Sequence, residues 1–557
     1  MKPQMPRAQR LCTLISAAAL SVLLLAALLV FLHGAQPSVE AIAVTASAAP
    51  LDNTLRVRST EPATLDPALT SYADEWRIVS QVFERLVRLD ENSSPQPALA
   101  SSWTCSADAS VYTFTLREAY FTNGRRVVAA DVVNSIMRSL SPTISGGNPA
   151  PYASILYDIQ GATAYNGGDT SASVGVRALD SSTVHFDLVG MVAPVVFLKK
   201  LALPIASVVP IEEINAGGAL WWREPARYVG TGPFKLTEWI TTSHISLTAN
   251  SQHHAGPPPL SGIRRRFITD TNTALEAYRA GELDLLPLSV TDVPTVTADP
   301  LLATDMITGP GGCVSYLFVD NQKSPFTGTS GVKLRQAFNY AVNKTAFLSA
   351  TMNNIGVPAK GLLSPWLYGY NPGLHGLDCD LALATQRLGE SGYTPGVSPP
   401  IVFYTRTSTT ALRVAQLQNL RTQLFDNLGV YTVLSPTLPP GRASISNWCA
   451  DYPDPENFLP LLLRTGASWN LAHYSNPTFD ALVDQAARTI TESERIALYQ
   501  QAEQLAVSDA ALLPLYHDEL LLLKKPRVIG PAMFDWQWYR AFSDLAFPHV
   551  YLPLVVR

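Results

Sequence analysis

The chain has 557 residues, of which 47% are hydrophobic and 15% charged, with a net charge of −5. That length corresponds to roughly three or four domain-sized units, and the composition supports a large buried core and excludes general disorder. The negative balance argues against a nucleic-acid partner, and the one dense basic run, Arg264-Arg265-Arg266, lies in a strand-like segment whose alternate side chains face opposite ways.

In chain order, Lys2, Arg7 and Arg10 precede an uncharged apolar run from Leu11 to Leu32. Residues 1–35 are therefore expected to form a signal peptide or an N-terminal membrane anchor, since about 20 apolar residues suffice to span a bilayer. Either outcome places the body outside the cytoplasm, in the periplasm or at the outer face of the cell membrane. Cys12 precedes the apolar run, the wrong side for lipid attachment, and residues 36–53 read as a linker. Leu55–Arg58 alternates like a strand, Asp74–Leu89 carries a helical stripe of Ile78, Val82, Leu86 and Leu89, and Val111–Leu116 is a strand before an Asn123-Gly124 turn. Helices are predicted over Ala130–Leu140, Thr273–Ala280, Leu334–Leu348 and Ala411–Leu428. Strands are predicted over Thr183–Leu188, Ile245–Leu247, Arg266–Ile268, Leu283–Leu286, Ile401–Thr405 and Leu512–Tyr516. Thr491-Glu492-Ser493-Glu494 fits a capping box opening a helix with Leu498, Ala502 and Leu505 on one stripe. Strands and helices alternate throughout with no fixed-period repeat, which indicates an α/β class with more than one sheet.

The sequence holds no G-x-S-x-G, H-E-x-x-H or P-loop pattern, so no catalytic residues, cofactor or metal site are expected. His253-His254 is a weak metal candidate, because adjacent residues point apart on a strand or helix and no third ligand stands at useful spacing. Cys105, Cys313, Cys379 and Cys449 remain for an oxidising compartment, and four cysteines allow three pairings that spacing does not decide.

Trp448-Cys449-Ala450-Asp451-Tyr452-Pro453-Asp454-Pro455 sets a carboxylate among aromatic rings in a segment that two prolines keep from being helical. One reading is a turn carboxylate ahead of a helix starting near Glu456. The other is a rigid wall that holds a cationic group, such as a peptide α-ammonium, against Asp451.

Several separated motifs then agree. Leu65-Asp66-Pro67, Pro97–Trp103, Tyr112–Arg117, Ala130–Ser135, Val229–Leu236, Ala280–Asp284, Val332–Ala341 and the Trp448–Pro455 loop, in that order, resemble the extracellular solute-binding proteins, family 5, of ABC importers, the class that contains the oligopeptide- and dipeptide-binding proteins. The resemblance covers about residues 53 to 540. It implies a two-lobed, class II periplasmic-binding-protein-like α/β clamp with an additional inserted domain. Lobe I would comprise 54–74, 216–310 and 519–557, the inserted domain 75–215, and lobe II 311–518. The implied function is the extracytoplasmic substrate-binding component of an ABC transporter, a monomer that binds an extended peptide between its lobes and delivers it to the permease subunits. A non-peptide solute (a nickel complex, haem, an oligosaccharide or an opine) is the alternative on the same scaffold. Residue by residue, the resemblance implies that Asp451 pairs with the peptide α-ammonium, that Trp448, Cys449 and Ala450 border the peptide, that Tyr152 faces it from the inserted domain, and that Glu61 to Ala63 run beside it. It also implies a Cys313–Cys449 disulfide. Asp131 and the Val229–Pro233 turn are read as structural. Between Tyr431 and Asn447 the chain departs from the family pattern. The Pro-rich Ser435–Gly441 stretch is too short for the usual helix, and only Arg442 stands near the family's ligand-binding arginines, so the group that holds the ligand's far end is left open.

Overall fold

Leu55, Val57 and Ser59 are buried while Arg56 and Arg58 between them are not, the period of two that a half-covered strand requires. In the computed structural model, which describes residues 53–405, 409–437 and 443–529, that strand is β1 (Thr54–Ser59). The apolar N-terminal segment, nearly all of the linker, Arg442 and residues 530–557 of the expected lobe I lie outside the described residues.

The strands that follow are β2 (Val87–Leu89), β3 (Pro95–Pro97), β4 (Ala100–Cys105), β5 (Val111–Leu116), β6 (Val176–Ala178), β7 (Thr183–Asp187), β8 (Phe234–Ile240) and β9 (His244–Ala249). After them come β10 (Gly262–Phe267), β11 (Leu285–Leu288), β12 (Met306–Val319), β13 (Val357–Pro358), β14 (Ile401–Tyr404), β15 (Thr432–Ser435), β16 (Ala443–Cys449) and β17 (Leu513–Lys524). One sheet has the order β15-β14-β16-β12-β17-β11-β1-β10-β9-β8, with β13 also pairing β17; β4-β5-β7-β6 form a second sheet and β2-β3 a small third. The second sheet carries its own core, in which Tyr112 and Phe186 meet Phe197 of the helix Pro194–Leu201 and Phe114 packs on Phe186. A separate core with Leu55, Trp221, Tyr228 and Ile263 lies on β1 and β10. Two more pack on β12, one around Phe338, Phe403 and Leu420, the other around Phe458, Phe479 and Tyr499.

The long strands β12 and β17 run through the main sheet. Met306–Pro310 pairs with Glu519–Leu523, and Val314–Leu317 pairs with Leu513–His517, with a shift of register between Pro310 and Val314. The Asp518 side chain turns into that gap, where its Oδ1 accepts from Cys313 N at 2.7 Å. Gly311 is opposite, and a Cβ there would stand 2.2 Å from Asp518 Oδ1. Burial pushes the Asp518 carboxyl up to about 6.

Most predicted elements are found, Ala411–Leu428 and Val111–Leu116 to the residue. Three differ. The helix predicted over Asp74–Leu89 ends at Val82, because the chain beyond it pairs with distant segments: Val82 O accepts from Gly232 N, Glu84 O from Val208 N and Arg85 O from Leu99 N. The Leu334–Leu348 run is two helices, Gly328–Ala341 and Lys344–Thr351, because Asn343 Oδ1 accepts from Ala346 N and caps the second. Thr491 sits at the N-cap of Glu492–Ser508 without a side-chain cap, and the first-turn Glu492 pairs with Arg495 instead.

The motifs have structural work of their own. Asp66 is buried and receives both terminal nitrogens of Arg138 as well as Trp221 Nε1 at 3.0 Å. Asp131 accepts from Val128 N and pairs with Arg125 at 3.0 Å, a first-turn structural role. Gly230 and Gly232 lie against the end of the helix Ala73–Val82, where a Cβ would stand 1.9 Å from Val82 O and 2.5 Å from Gln81 O respectively. Close approach, and not a left-handed turn, demands glycine here. Gly230→Ala is expected to lower the unfolding midpoint in urea by an amount equivalent to about 1–3 kcal/mol, the usual cost of overpacking, and an unchanged midpoint would count against this contact.

Candidate functional site

After β16 the chain cannot continue as a strand, because Pro453 and Pro455 lack the donors a ladder needs. The turn that replaces it is built around the buried Asn457. Its Oδ1 accepts from Asp451 N at 2.8 Å, its Nδ2 donates to Asp451 Oδ2 at 3.2 Å, and its backbone carbonyl accepts from Trp448 Nε1 at 2.6 Å. The disulfide Cys313–Cys449 ties β16 to β12, where the two cysteines are direct antiparallel partners. Ala450 N donates to Gly312 O at 3.0 Å and continues that link. Asp451 is thereby fixed at main chain and side chain together.

From the other side, Tyr152 hydrogen-bonds the Asp451 carboxylate. Its ring meets Trp76 edge-on at 5.0 Å, and Trp448 lies 5.4 Å from the half-exposed Trp469. Burial raises the Asp451 carboxyl to about 6, which its bonds to Asn457 and Tyr152 only partly counter; burial and the facing carboxylate push the Tyr152 hydroxyl to about 12. Among the described residues no cation pairs with Asp451. It is a desolvated carboxylate flanked by aromatic rings, electrostatically suited to an arriving cation.

The rest of the turn is clamped from the helix Pro194–Leu201. Lys199 Nζ donates to Pro453 O at 2.7 Å and stands 3.3 Å from Asp454 Oδ2, while both Asp454 oxygens receive Arg495, at 2.8 and 2.7 Å. Lys200 Nζ reaches Asp158 at 2.8 Å and Glu456 at 2.9 Å. Burial alone would raise the Asp454 carboxyl, but Lys199 and Arg495 outweigh it and hold it below the ordinary range.

Of the remaining predicted residues, Glu61 is turned toward the β8–β9 turn, accepting from Trp239 Nε1 at 3.1 Å and Thr242 N at 2.9 Å. Ala63 is exposed, and its N–H donates to Glu75 Oε1 at 3.2 Å. Glu75 holds the whole segment, because its second oxygen accepts from Ser71 N at 2.8 Å and Tyr72 N at 3.1 Å. The structure therefore brings Trp448, Cys449, Ala450, Asp451 and Tyr152 together and places the Glu61 carboxylate elsewhere. Sequence reasoning missed Asn457, Glu75 and the Lys199-Lys200 pair. Two lysines in the apolar run Val195–Leu201 were a readable signal of buried partners.

At His253-His254 the local geometry differs from the one expected. The pair sits in a turn, not on a strand or helix, so the rings lie side by side with centroids 4.4 Å apart, and Glu84, remote in sequence, supplies a third group. Cys105 and Cys379 are free and exposed. Among the described residues no helix is long and apolar enough to cross a membrane.

Comparison with known proteins gives the family and the fold. The profile described as bacterial extracellular solute-binding proteins, family 5 Middle, matches residues 94–470. The dipeptide-binding protein DppE of Bacillus subtilis is 28% identical over 84% of this chain and 87% of its own. Heme-binding protein A of Haemophilus influenzae is 29% identical over 84% of this chain and 88% of its own. Among solved structures, the Escherichia coli murein tripeptide binding protein MppA superposes with a TM-score of 0.70 at 23% identity, over 89% of this chain and 98% of that one. At that identity the likeness speaks for the fold, a two-lobed α/β architecture of the periplasmic-binding-protein type.

Proposed function

The chain belongs to the bacterial extracellular solute-binding proteins, family 5, and from that premise we propose that it is the extracytoplasmic binding component of an ABC importer, taking peptides in extended form and passing them to the membrane permease without chemistry of its own. The observation that carries the peptide reading is Asp451: partly buried, raised to about 6, and without a cation among the described residues. A peptide α-ammonium supplies the missing charge, and an aspartate–ammonium bond shielded by Trp448 and Tyr152 gains over the same bond in water. Trp448, Cys449 and Ala450 form the wall beside the peptide. Ala63 brings the exposed end of the Thr60–Thr64 segment to its flank, and Glu61 acts there by holding the segment to the β8–β9 turn.

The division into lobes proposed with this reading is 54–74, 216–310 and 519–557 as one and 311–518 as the other, with 75–215 inserted; the long strands β12 and β17, which pair along much of their length in the main sheet, support it as the connection. The protein works as a monomer, exported or held by its apolar N-terminal segment. A backbone that pairs as an added strand gives affinity that reads no side chain, so length and charge at the ends set preference.

The test is calorimetric titration with a pool of tri- to pentapeptides and with the same pool N-acetylated. Free-amino peptides are expected to bind and raise the thermal midpoint, as a ligand selective for the folded state must, and acetylation is expected to remove most of the affinity. No response to any peptide, with a response to haem or a metal complex, would transfer the scaffold to a non-peptide solute.

A further inference from the structure

Outside the Asp451 cluster, the most organised set of ligating side chains is Glu84, His253 and His254, whose donor atoms all lie within 4.8 Å of one another. Both halves of the cluster hang on the same glycine-rich segment. Glu84 N donates to Thr231 Oγ1 at 3.3 Å, while the histidine turn is built on Asn250, which accepts His253 N at its carbonyl at 3.2 Å and donates its Nδ2 to Gly232 O at 2.9 Å. The glutamate is 13% exposed and each histidine 11%. His254 Nε2 is 2.8 Å from Glu84 Oε1 and His253 Nε2 is 3.5 Å from it, the latter without hydrogen-bond geometry. His253 Nε2 and Glu84 Oε2 are buried and have no hydrogen-bond partner. Buried polar atoms are rarely left so.

A tetrahedral zinc ion with bonds of about 2.0–2.2 Å sets its ligand atoms roughly 3.3 Å apart, between the two separations seen here. Two imidazoles and a carboxylate suit zinc, cobalt or nickel rather than magnesium or calcium. The geometry points to a zinc-type divalent metal site formed by Glu84, His253 Nε2 and His254 Nε2, with water in the fourth position, that staples the chain after the helix Ala73–Val82 to the β9–β10 turn.

One neighbour opposes it. Arg117 Nη1 stands 3.1 Å from His254 Nδ1, and a guanidinium only donates, so Nδ1 accepts and Nε2 carries the proton given to Glu84. Metal at Nε2 moves that proton to Nδ1 and turns Arg117 away. Arg117→Gln, whose carbonyl can accept from Nδ1–H, therefore strengthens the site.

The experiment is titration of zinc sulfate into untagged, chelator-treated full-length protein, followed by calorimetry and thermal melting. One saturable equivalent is expected, with a raised melting midpoint. Binding should weaken at least about 100-fold in His253→Ala and in Glu84→Gln and tighten several-fold in Arg117→Gln. Cobalt loaded into the unaltered protein supplies a readout that needs no variant, a strong visible band marking four-coordination. No saturable equivalent, undiminished binding in the His253→Ala/His254→Ala double variant, or a weak six-coordinate cobalt spectrum would overturn the proposal.

Discussion

Asp451→Asn is expected to weaken binding of a free-amino peptide by about 2–5 kcal/mol, some 30-fold or more, the range found when one member of a buried charged pair is removed. The substitution keeps the size of the side chain and an oxygen for Tyr152 and Asn457, so what it removes is the charge. The fold should not suffer. A carboxyl raised to about 6 by burial stabilises the folded state fully below its unfolded value, and that contribution is lost as pH rises through 6. The neutral amide escapes the loss, so at pH 7–8 the variant should unfold no earlier than the parent. Affinity moves the other way. Below about 6 the free protein holds Asp451 protonated, and an ammonium must displace that proton, so peptide affinity should fall by up to tenfold per pH unit on acidification and lie flat between about 6 and the α-amino value near 8. The acid limb should vanish in Asp451→Asn. Calorimetry of free and N-acetylated peptide against both proteins closes a cycle in which the two changes remove one interaction. Equal losses for free and acetylated peptide would dispose of ammonium capture at this residue.

How far the sequence was legible follows from the range over which each determinant acts. The helix Ala411–Leu428 was readable because its limits are local: Thr410 caps it and Gly429, at φ +67°, ends it. The helix after Tyr72 was overextended because its end is set by Gly232, about 150 residues away, which no periodicity registers. At the site, the two prolines announced a rigid turn and the aromatic-flanked aspartate announced an anion, both local facts. That Asp451 meets Tyr152 depends on a segment remote in sequence, and its orientation depends on Asn457. The Cys313–Cys449 bond came from family likeness, and its structural reason is that the two residues face each other across β12 and β16. Glu61 was expected beside the ligand, and its carboxylate is engaged by Trp239 and Thr242, a tertiary choice. The His253-His254 pair showed no third ligand at useful spacing because Glu84 is remote in sequence, and the rule that adjacent residues point apart does not hold in a turn.

The largest stability effect is expected at Asp454→Ala. Asp454 and Arg495 are both fully buried, Lys199 nearly so, and the carboxylate is the common acceptor of the two cations. Its removal leaves two buried positive charges with reduced compensation: Arg495 keeps Glu492 at 2.8 Å, and Lys199 keeps Pro453 O at 2.7 Å. Breaking a buried pair in this way costs about 3–5 kcal/mol. The reverse truncation is not equivalent. Lys199 is held below the ordinary lysine range because burial, aided by Arg495, outweighs the attraction of Asp454, so it is the costly member of the trio. Lys199→Met leaves the Asp454–Arg495 pair intact and should change stability by only about 1 kcal/mol, in either direction. The Asp454 carboxyl is held below its unfolded value, so its contribution is present above about pH 4 and is lost as pH falls further. The gap between parent and Asp454→Ala in urea unfolding should therefore narrow under acid. The same residue supports function at a distance: Asp454 Oδ1 accepts from Glu456 N at 3.1 Å, and Asn457 follows immediately, so loosening the turn should also weaken peptide binding by releasing Asp451. Equal costs for Asp454→Ala and Lys199→Met would show that the network stabilises by packing alone. A stability loss with unchanged peptide affinity would show that Asn457 positions Asp451 without help from the buried charges.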